Sequence, residues 1–462
     1  MQALAVGSVG RVAESFIAVG DWQGTGIKTG LGRFPTEILC EIFRSTLPWK
    51  RRHNNTHLLT PPWVLGLVCR RWRECALGDV KLWMKIEIDC TGLMTETKII
   101  ERFPLAALET QIVRSGTAPL DIKFESSRTP WASDYISCLL ELLVQQRNRW
   151  GRLDLTFLHI FPLVLTQVKG NLQSLEHLTF CSAPLPPQIH DVFEIAPQLR
   201  DVTMINDSED TDRWDAPVLS APWEQITRYR GSFSAEICVD ILCRAELLVE
   251  CGLHDSGNDM SPGTSLAILP RLRRLAVAHP RVLKFLKTPN LEYLFLDLNR
   301  ELGDVTDSVV AFTLAFLGRS QCQLKGITAE DCLANDLHSI LKSTPTLLHL
   351  HADFCDEIGT STTRLLQDTD VCPRLTSIHL GWLCMSCSEA VYDFIVARKR
   401  TLKFASISTG DRIAEFGATP DLMERLLALR SDLLKVTVVA QEQNMSEFPL
   451  SYVTKDMDPF DY

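Results

Sequence analysis

The sequence predicts a mixed α/β chain, with a small helical block near the amino terminus followed by an irregular array of strand-and-helix units stacked into a solenoid. Three observations carry this expectation. A Leu-x-x-Leu-x-Leu pattern, with other apolar residues allowed, recurs from Trp150 to Val438. Five of its units open on Pro-x-Leu. Between the triplets the apolar period changes from two to about 3.6, the change expected on passing from strand to helix.

Taken in order, residues 1–32 are glycine-rich (Gly20, Gly24, Gly26, Gly30, Gly32) and read as a loose leader. Residues 33–85 read as a compact helical block. Pro35 opens a helix, a position where proline is tolerated, and Ile38, Leu39, Ile42 and Phe43 follow at helical spacing. Leu47-Pro48 ends it, and a polar, basic stretch from Lys50 to Asn55 leads to Pro61-Pro62. A second helix carries Leu65, Val68, Cys69 and Trp72 with Arg70, Arg71 and Arg73 interleaved, and Leu77 and Leu82-Trp83 close the block. A block of about 50 residues is close to the lower limit for independent stability. It is expected to leave apolar surface for a partner or for the domain that follows.

These residues carry a family resemblance. Phe34-Pro35-Thr36-Glu37-Ile38-Leu39-Cys40-Glu41-Ile42-Phe43, then Leu65-Gly66-Leu67-Val68-Cys69-Arg70-Arg71-Trp72, then Leu82-Trp83 resemble the F-box. Its pattern runs Leu-Pro-x-Glu-Ile-Leu-x-x-Ile-Phe, Leu-x-x-Val-Cys-Arg-x-Trp and Leu-Trp. The F-box families expanded in mushroom-forming fungi look especially similar, including a polar insert between the two halves. The chain departs from the pattern at Phe34, where leucine is usual, and the insert bears on how the first helix would meet a partner. The resemblance covers about one ninth of the chain. It implies binding to the Skp adaptor, and through it to cullin and RING subunits. Carried over position by position, Phe34, Pro35, Ile38, Leu39, Ile42 and Phe43 would face the adaptor, with Leu67 and Val68 from the second half, while Trp72 and Trp83 are expected in the core. The function implied is substrate recognition in a Skp–cullin–F-box ubiquitin ligase, with the repeats holding an unknown protein substrate. The alternative is a scaffold outside ubiquitination that uses the F-box as a docking module.

Residues 86–440 are expected to form the repeat array. The triplets include Leu175-Leu178-Phe180, Leu199-Val202-Met204, Leu291-Leu294-Leu296, Leu347-Leu350-Ala352 and Leu375-Ile378-Leu380; Ile226-Tyr229-Gly231 is weak and Ala245-Leu248-Glu250 weaker. Trp83-Ile86-Ile88 and Leu120-Ile122-Phe124 read as lead-in strands. The mean spacing is about 26 residues, within the ~20–29 of leucine-rich repeats. Proline stops a preceding helix and favours an extended residue before it, so Pro197, Pro270, Pro289, Pro345 and Pro373 each mark a strand entry. Such units cannot bury their apolar face alone; stacked, they share a core and curve. Residues 441–462 form a short acidic tail.

Composition narrows the functional classes. A formal net charge of −10, from 47 basic against 57 acidic residues, argues against a nucleic-acid partner. The longest strongly apolar run, near Val309–Leu317, falls far short of the ~20 residues needed to span a bilayer, so no membrane partner is expected. The 15 scattered cysteines read as reduced thiols of cytoplasm or nucleus rather than a disulfide framework.

No catalytic residue, cofactor or metal set is assigned from the sequence. The stretch Gly24–Gly30 lacks the glycine before Lys28 that a phosphate loop requires. Cys384 and Cys387 form a lone pair that no second pair completes. Lys50-Arg51-Arg52 reads as a solvated loop. Candidate substrate contacts come instead from strand alternation: residues flanking each middle leucine project from the opposite, concave face. They are Tyr293 and Phe295 beside Leu294, His349 and His351 beside Leu350, and His379 beside Ile378; Asp353, Gly381 and Arg228 are on the same face. His351 and His379 are expected side by side at ~4.8 Å between strands. Protonated, they would contact an acidic or phosphorylated segment; neutral, they would pack or bind a metal.

Overall fold

The computed structural model describes residues 34–47, 61–90, 99–100, 103–126, 133–157, 163–182, 187–206, 219–254, 265–297, 306–354, 368, 370–381, 388–409, 424–426, 428–430 and 434–440. The glycine-rich leader, the Lys50–Arg52 patch, the Cys384/Cys387 pair and the acidic tail lie outside them. The described chain is mixed α/β with extensive parallel sheet. It divides into two compact units, residues 1–198 with 219–221, and residues 199–218 with 222–462.

The first unit begins with helix α1 (Thr36–Thr46), entered from extended Pro35, whose carbonyl accepts from the Leu39 amide at 3.1 Å. Leu39 and Phe43, one turn apart, lie on one face and pack in the interior with Leu65, Cys75, Ala76, Leu82 and Trp83. Helices α2 (Leu65–Val68) and α3 (Arg70–Gly78) are separated at Cys69, which is extended and whose Sγ accepts from the Trp72 amide at 3.4 Å. Trp83 Nε1 donates to the Ala76 carbonyl at 2.8 Å, and Arg44 holds Asp79 through Nε and Nη2 at 2.8 and 3.1 Å. The compact unit runs on past residue 85. Strands β1 (Lys85–Asp89), β2 (Leu120–Ser126), β3 (Trp150–Phe157) and β4 (His177–Ser182) pair in parallel and in sequence order. Helices α4 (Leu105–Arg114) and α5 (Ser133–Val144) lie in their connections. The Arg114 guanidinium sits 4.5 Å from the centroid of a Trp83 ring and 5.1 Å from that of a Trp63 ring, so α4 caps the helical block directly.

The second unit holds β5 (Asp201–Asn206), β6 (Arg228–Ser232), β7 (Glu250–Leu253), β8 (Arg274–Val277) and β9 (Tyr293–Asp297). Strands β10 (Gly326–Cys332), β11 (His349–Phe354), β12 (Ser377–Gly381), β13 (Phe404–Thr409) and β14 (Lys435–Ala440) follow. All pair in parallel in this order. The middle residues align without a slip, so Tyr229 stands beside Cys251, Leu275 beside Leu294, and Leu350 beside Ile378. Helices α6 (Ala235–Arg244), α7 (Thr306–Ser320), α8 (Ala334–Lys342) and α9 (Ser388–Arg398) occupy connections.

Pro-x-Leu has a definite local form. In four units the leucine amide donates to the carbonyl three residues back, a β-turn with proline second: Leu272 to Leu269, Leu291 to Thr288, Leu347 to Thr344 and Leu375 to Cys372, at 3.1–3.3 Å. The fixed φ of proline suits that turn position. The leucine is buried and the strand starts two residues on. The residue between donates its amide to the equivalent carbonyl of the preceding unit. This line of bonds runs Arg273 to Val249, Glu292 to Arg273, Lys325 to Glu292, Leu348 to Lys325, Thr376 to Leu348 and Lys403 to Thr376, at 2.7–2.9 Å.

Two weak triplets find their explanation here. Tyr229 is fully buried, and a Cβ on Gly231 would overlap its ring; the large residue at one position requires the small one at the next. The expected triplet Ala245-Leu248-Glu250 is displaced by three. Cys251, not Leu248, is the residue in register with Tyr229 and Leu275, so the triplet is Leu248-Cys251-Leu253. A cysteine in the middle place hid the register. Every cysteine among the described residues is a free thiol, and no helix among them is long and apolar enough to cross a membrane.

Candidate functional site

Two surfaces bring together residues singled out from the sequence, one in each unit. On the helical block, Phe34 is 40% exposed, Ile38 44%, Leu67 55% and Val68 60%. Pro35 is also exposed and Ile42 is half-buried. Leu39 and Phe43, expected to face a partner with them, do not: both are fully buried. The reason is helical period: Leu39 and Phe43, four apart, share the face of α1 that packs into the core, while Ile38 lies off that face and Phe34 precedes the helix. The Arg71 guanidinium donates to the Phe34 carbonyl, holding the entry of α1 near α3.

In the second unit the face of the sheet opposite the leucines carries three parallel rows of side chains. The first row is charged. Arg228 stands between Asp201 and Glu250, at 4.0 and 3.1 Å, and Glu250 also takes Arg274 at 3.1 Å. The Arg274 guanidinium then lies 5.9 Å from the Tyr293 ring centroid, a cation–π approach. A Cβ on Gly326 would meet the Tyr293 ring at 2.6 Å, so that glycine lets the ring lie over β10. His349, next in the row, is half-buried, and burial lowers its pKa. Glu250 was not foreseen as part of this face, because the misplaced register of β7 removed it; Arg274 flanks a correctly placed middle leucine, Leu275, and was not singled out.

The middle row is interior, which corrects the expectation that Phe295, His351 and His379 face outward. Phe295 packs on Ala276 with Tyr293 over it. His351 and His379 are side by side as their register requires, with ring centroids 4.3 Å apart, but they are only 7% and 2% exposed. Large side chains of the outer rows lean over the middle one, which simple alternation cannot foresee. Of the five candidate substrate contacts, Tyr293 and His349 remain at the surface.

Asp353, two residues beyond His351 on β11, belongs to the third row. Its Oδ2 lies 3.4 Å from His351 Nε2 and its Oδ1 4.0 Å from His379 Nε2. A Cβ on Gly381, the register partner of Asp353, would overlap this carboxylate; the glycine is what allows it to lie across to β12. Burial pushes the His379 pKa down to about 3, reinforced by His351 and only partly opposed by Asp353. Asp353 is held below the usual carboxylate range: burial raises it, but the His351 hydrogen bond and the two imidazoles outweigh that. Burial thus disfavours the charged form of His379, and both rings lie inside rather than at the surface where an acidic segment would meet them.

No family model matches the sequence. No curated protein matches it either. Among solved structures, it is similar to a structural-genomics crystal structure of a protein from Bacteroides fragilis, at 12% identity and a TM-score of 0.35, over 70% of this chain and 87% of that one. At that level the likeness carries no argument.

Proposed function

We propose that the chain is the substrate-recognition subunit of a Skp–cullin–F-box ubiquitin ligase, with the helical block as the F-box and the parallel strand units as a leucine-rich-repeat solenoid. One observation carries this reading. The exposed apolar residues Phe34, Ile38, Leu67 and Val68 occupy positions at which the F-box pattern meets its adaptor. The small interior core of Leu39, Phe43, Leu65 and Trp83 holds them in place. Four large side chains left about half-exposed are a cost in water, and covering them at roughly 25 cal/mol per Å² supplies a hot-spot cluster.

In this reading the chain makes no bond itself. It holds a target on one module and the adaptor on the other, raising the target's effective concentration at a ubiquitin-loaded enzyme elsewhere in the assembly. The row of exposed Arg228 and half-buried Glu250, Arg274, Tyr293 and His349 supplies directional polar contacts and an aromatic anchor for the target.

The test is adaptor affinity of the full chain. Ile38→Asp with Val68→Asp places two charges in the proposed contact at exposed sites, so binding to a Skp-type adaptor should fall at least 100-fold while the melting temperature holds. Phe43→Ala is the wrong variant, because it opens the interior. A folded double variant that binds the adaptor as wild type does would overturn the F-box reading. Adaptor binding without cullin in the purified complex would favour a scaffold over a ligase subunit.

A further inference from the structure

The geometry points to a divalent transition-metal site formed by His351, Asp353 and His379 in the second unit, with two imidazole nitrogens and one carboxylate as ligands and at least one coordination position left open. This does not rest on the ligase reading.

The three potential ligand atoms lie within 4.8 Å of one another. Both histidines present Nε2 toward the same carboxylate, and each faces a different oxygen of it, at 3.4 and 4.0 Å. The 3.4 Å contact is a long hydrogen bond, beyond the ~2.7–3.2 Å of a good one, and the 4.0 Å contact is none. They approach the spacing between ligands set around a cation: metal–ligand bonds of about 2.0–2.2 Å in tetrahedral array place ligand atoms roughly 3.3–3.6 Å apart. Closing the triad onto an ion needs movement of about 1 Å, within the reach of side-chain rotation. The backbone already fixes the rest, since His351 and His379 are exact register partners and Asp353 projects from the same face two residues on.

Two further features suit a ligand site better than packing. Gly381 clears the space over β12 that the Asp353 carboxylate fills, and any other residue would displace it. Ser406 is the register partner of His379 on β13, on the same face. It is fully buried, and its hydroxyl makes no hydrogen bond among the described residues. A buried hydroxyl left so costs free energy; a water or partner group on the metal's open position would satisfy it. Two nitrogens and one oxygen suit zinc, cobalt or ferrous iron over calcium or magnesium, which take oxygen sets. The low exposure of the pair disfavours a merely adventitious surface site.

The probe is Co²⁺ added to the metal-free full chain, because its visible spectrum separates nitrogen and oxygen ligation from thiolate, and the chain carries 15 cysteines. The expected result is one tightly bound Co²⁺ per chain, at micromolar Kd or below, with ligand-field bands and no thiolate charge-transfer band. Zn²⁺ should displace it. Asp353→Asn, which keeps the shape, and His379→Gln should each weaken binding at least 30-fold. Gly381→Ala should weaken it by displacing the carboxylate. The proposal is overturned by no uptake up to millimolar Co²⁺, by a thiolate spectrum, or by unchanged binding in folded Asp353→Asn. If a histidine variant fails to fold, the wild-type spectrum decides alone: paramagnetically shifted proton resonances from two imidazole N–H groups support the site, and their absence overturns it.

Discussion

Gly231 shows how much of this chain turns on single contacts. The Tyr229 ring fills the space that a side chain at 231 would need, so Gly231→Ala should cost about 1–3 kcal/mol by overpacking. The paired variant Tyr229→Leu/Gly231→Ala should recover much of that loss, and urea denaturation of the full cycle measures the coupling. If Gly231→Ala is as stable as wild type, the ring does not occupy that space. A second residue-scale prediction concerns acid. Burial lowers the pKa of His254, against a small opposing pull from Asp297. It also lowers that of His279, where His254 and Arg281 add to it. Below the unfolded value of ~6.5 the unfolded chain binds protons that the folded chain refuses, so stability is full above that pH and falls as pH drops beneath it. Glu87 and Asp121 in the first unit are raised by burial and pull the other way, so the bare slope is not diagnostic. His254→Gln with His279→Gln should flatten the loss of melting temperature between pH 7 and 5.5; an unchanged slope counts against it. Neither residue stood out in the sequence, because a buried histidine and a solvated one are written with the same letter. Cys251 was hidden for a similar reason: cysteine fills a leucine's place as a small apolar residue without carrying its signal.

At the scale of elements, three arginines do a job that no local pattern announces. Arg149 donates to the Ala118 carbonyl at 2.8 and 3.1 Å. Arg319, near the end of α7, donates to the carbonyls of Leu283 and Leu286. Arg398, at the end of α9, donates to those of Val371 and Cys372 at 2.6 and 2.9 Å. Each reaches back to the turn that precedes the previous strand and satisfies carbonyls there. Arg398→Met keeps the apolar stem but leaves buried acceptors bare, so it should cost about 2–4 kcal/mol, above the usual price of a surface change. Thermal unfolding checks it, and a loss within ~0.5 kcal/mol would show that water replaces the guanidinium. The strands and turns themselves were legible. Pro-x-Leu places strand entries at Arg274, Tyr293, His349 and Ser377 because proline's fixed φ and a buried leucine are local causes with local effects. Whether an arginine turns outward or back across roughly thirty residues depends on carbonyls set by the fold.

For the molecule as a whole, repetition was the legible quantity and exposure was not. Within the second unit strands β5 to β14 pair in sequence order, so its stability should behave as a chain of nearest-neighbour terms; the lost energy of Arg398→Met and of Gly231→Ala, on well-separated strands, should simply add. The candidate adaptor surface followed from the F-box resemblance, yet two of its four helix α1 positions, Leu39 and Phe43, turned inward, because a motif records which residues recur and not which side of a helix meets water. The candidate substrate face divided likewise, leaving Tyr293 and His349 at the surface and drawing Phe295 and the histidine pair inside.

From Arg273 to Lys403 the amide at the strand entry is bonded to the equivalent carbonyl one repeat earlier, whatever the length of chain between. Spacings that range from roughly 19 to 33 residues all arrive at the same alignment. Insertions and deletions behind the sheet therefore leave neighbours across its face unchanged, while a substitution on the face leaves the connections unchanged. Descendants of such a gene can vary the bulk of the protein and the chemistry of that face independently, each without a compensating change in the other.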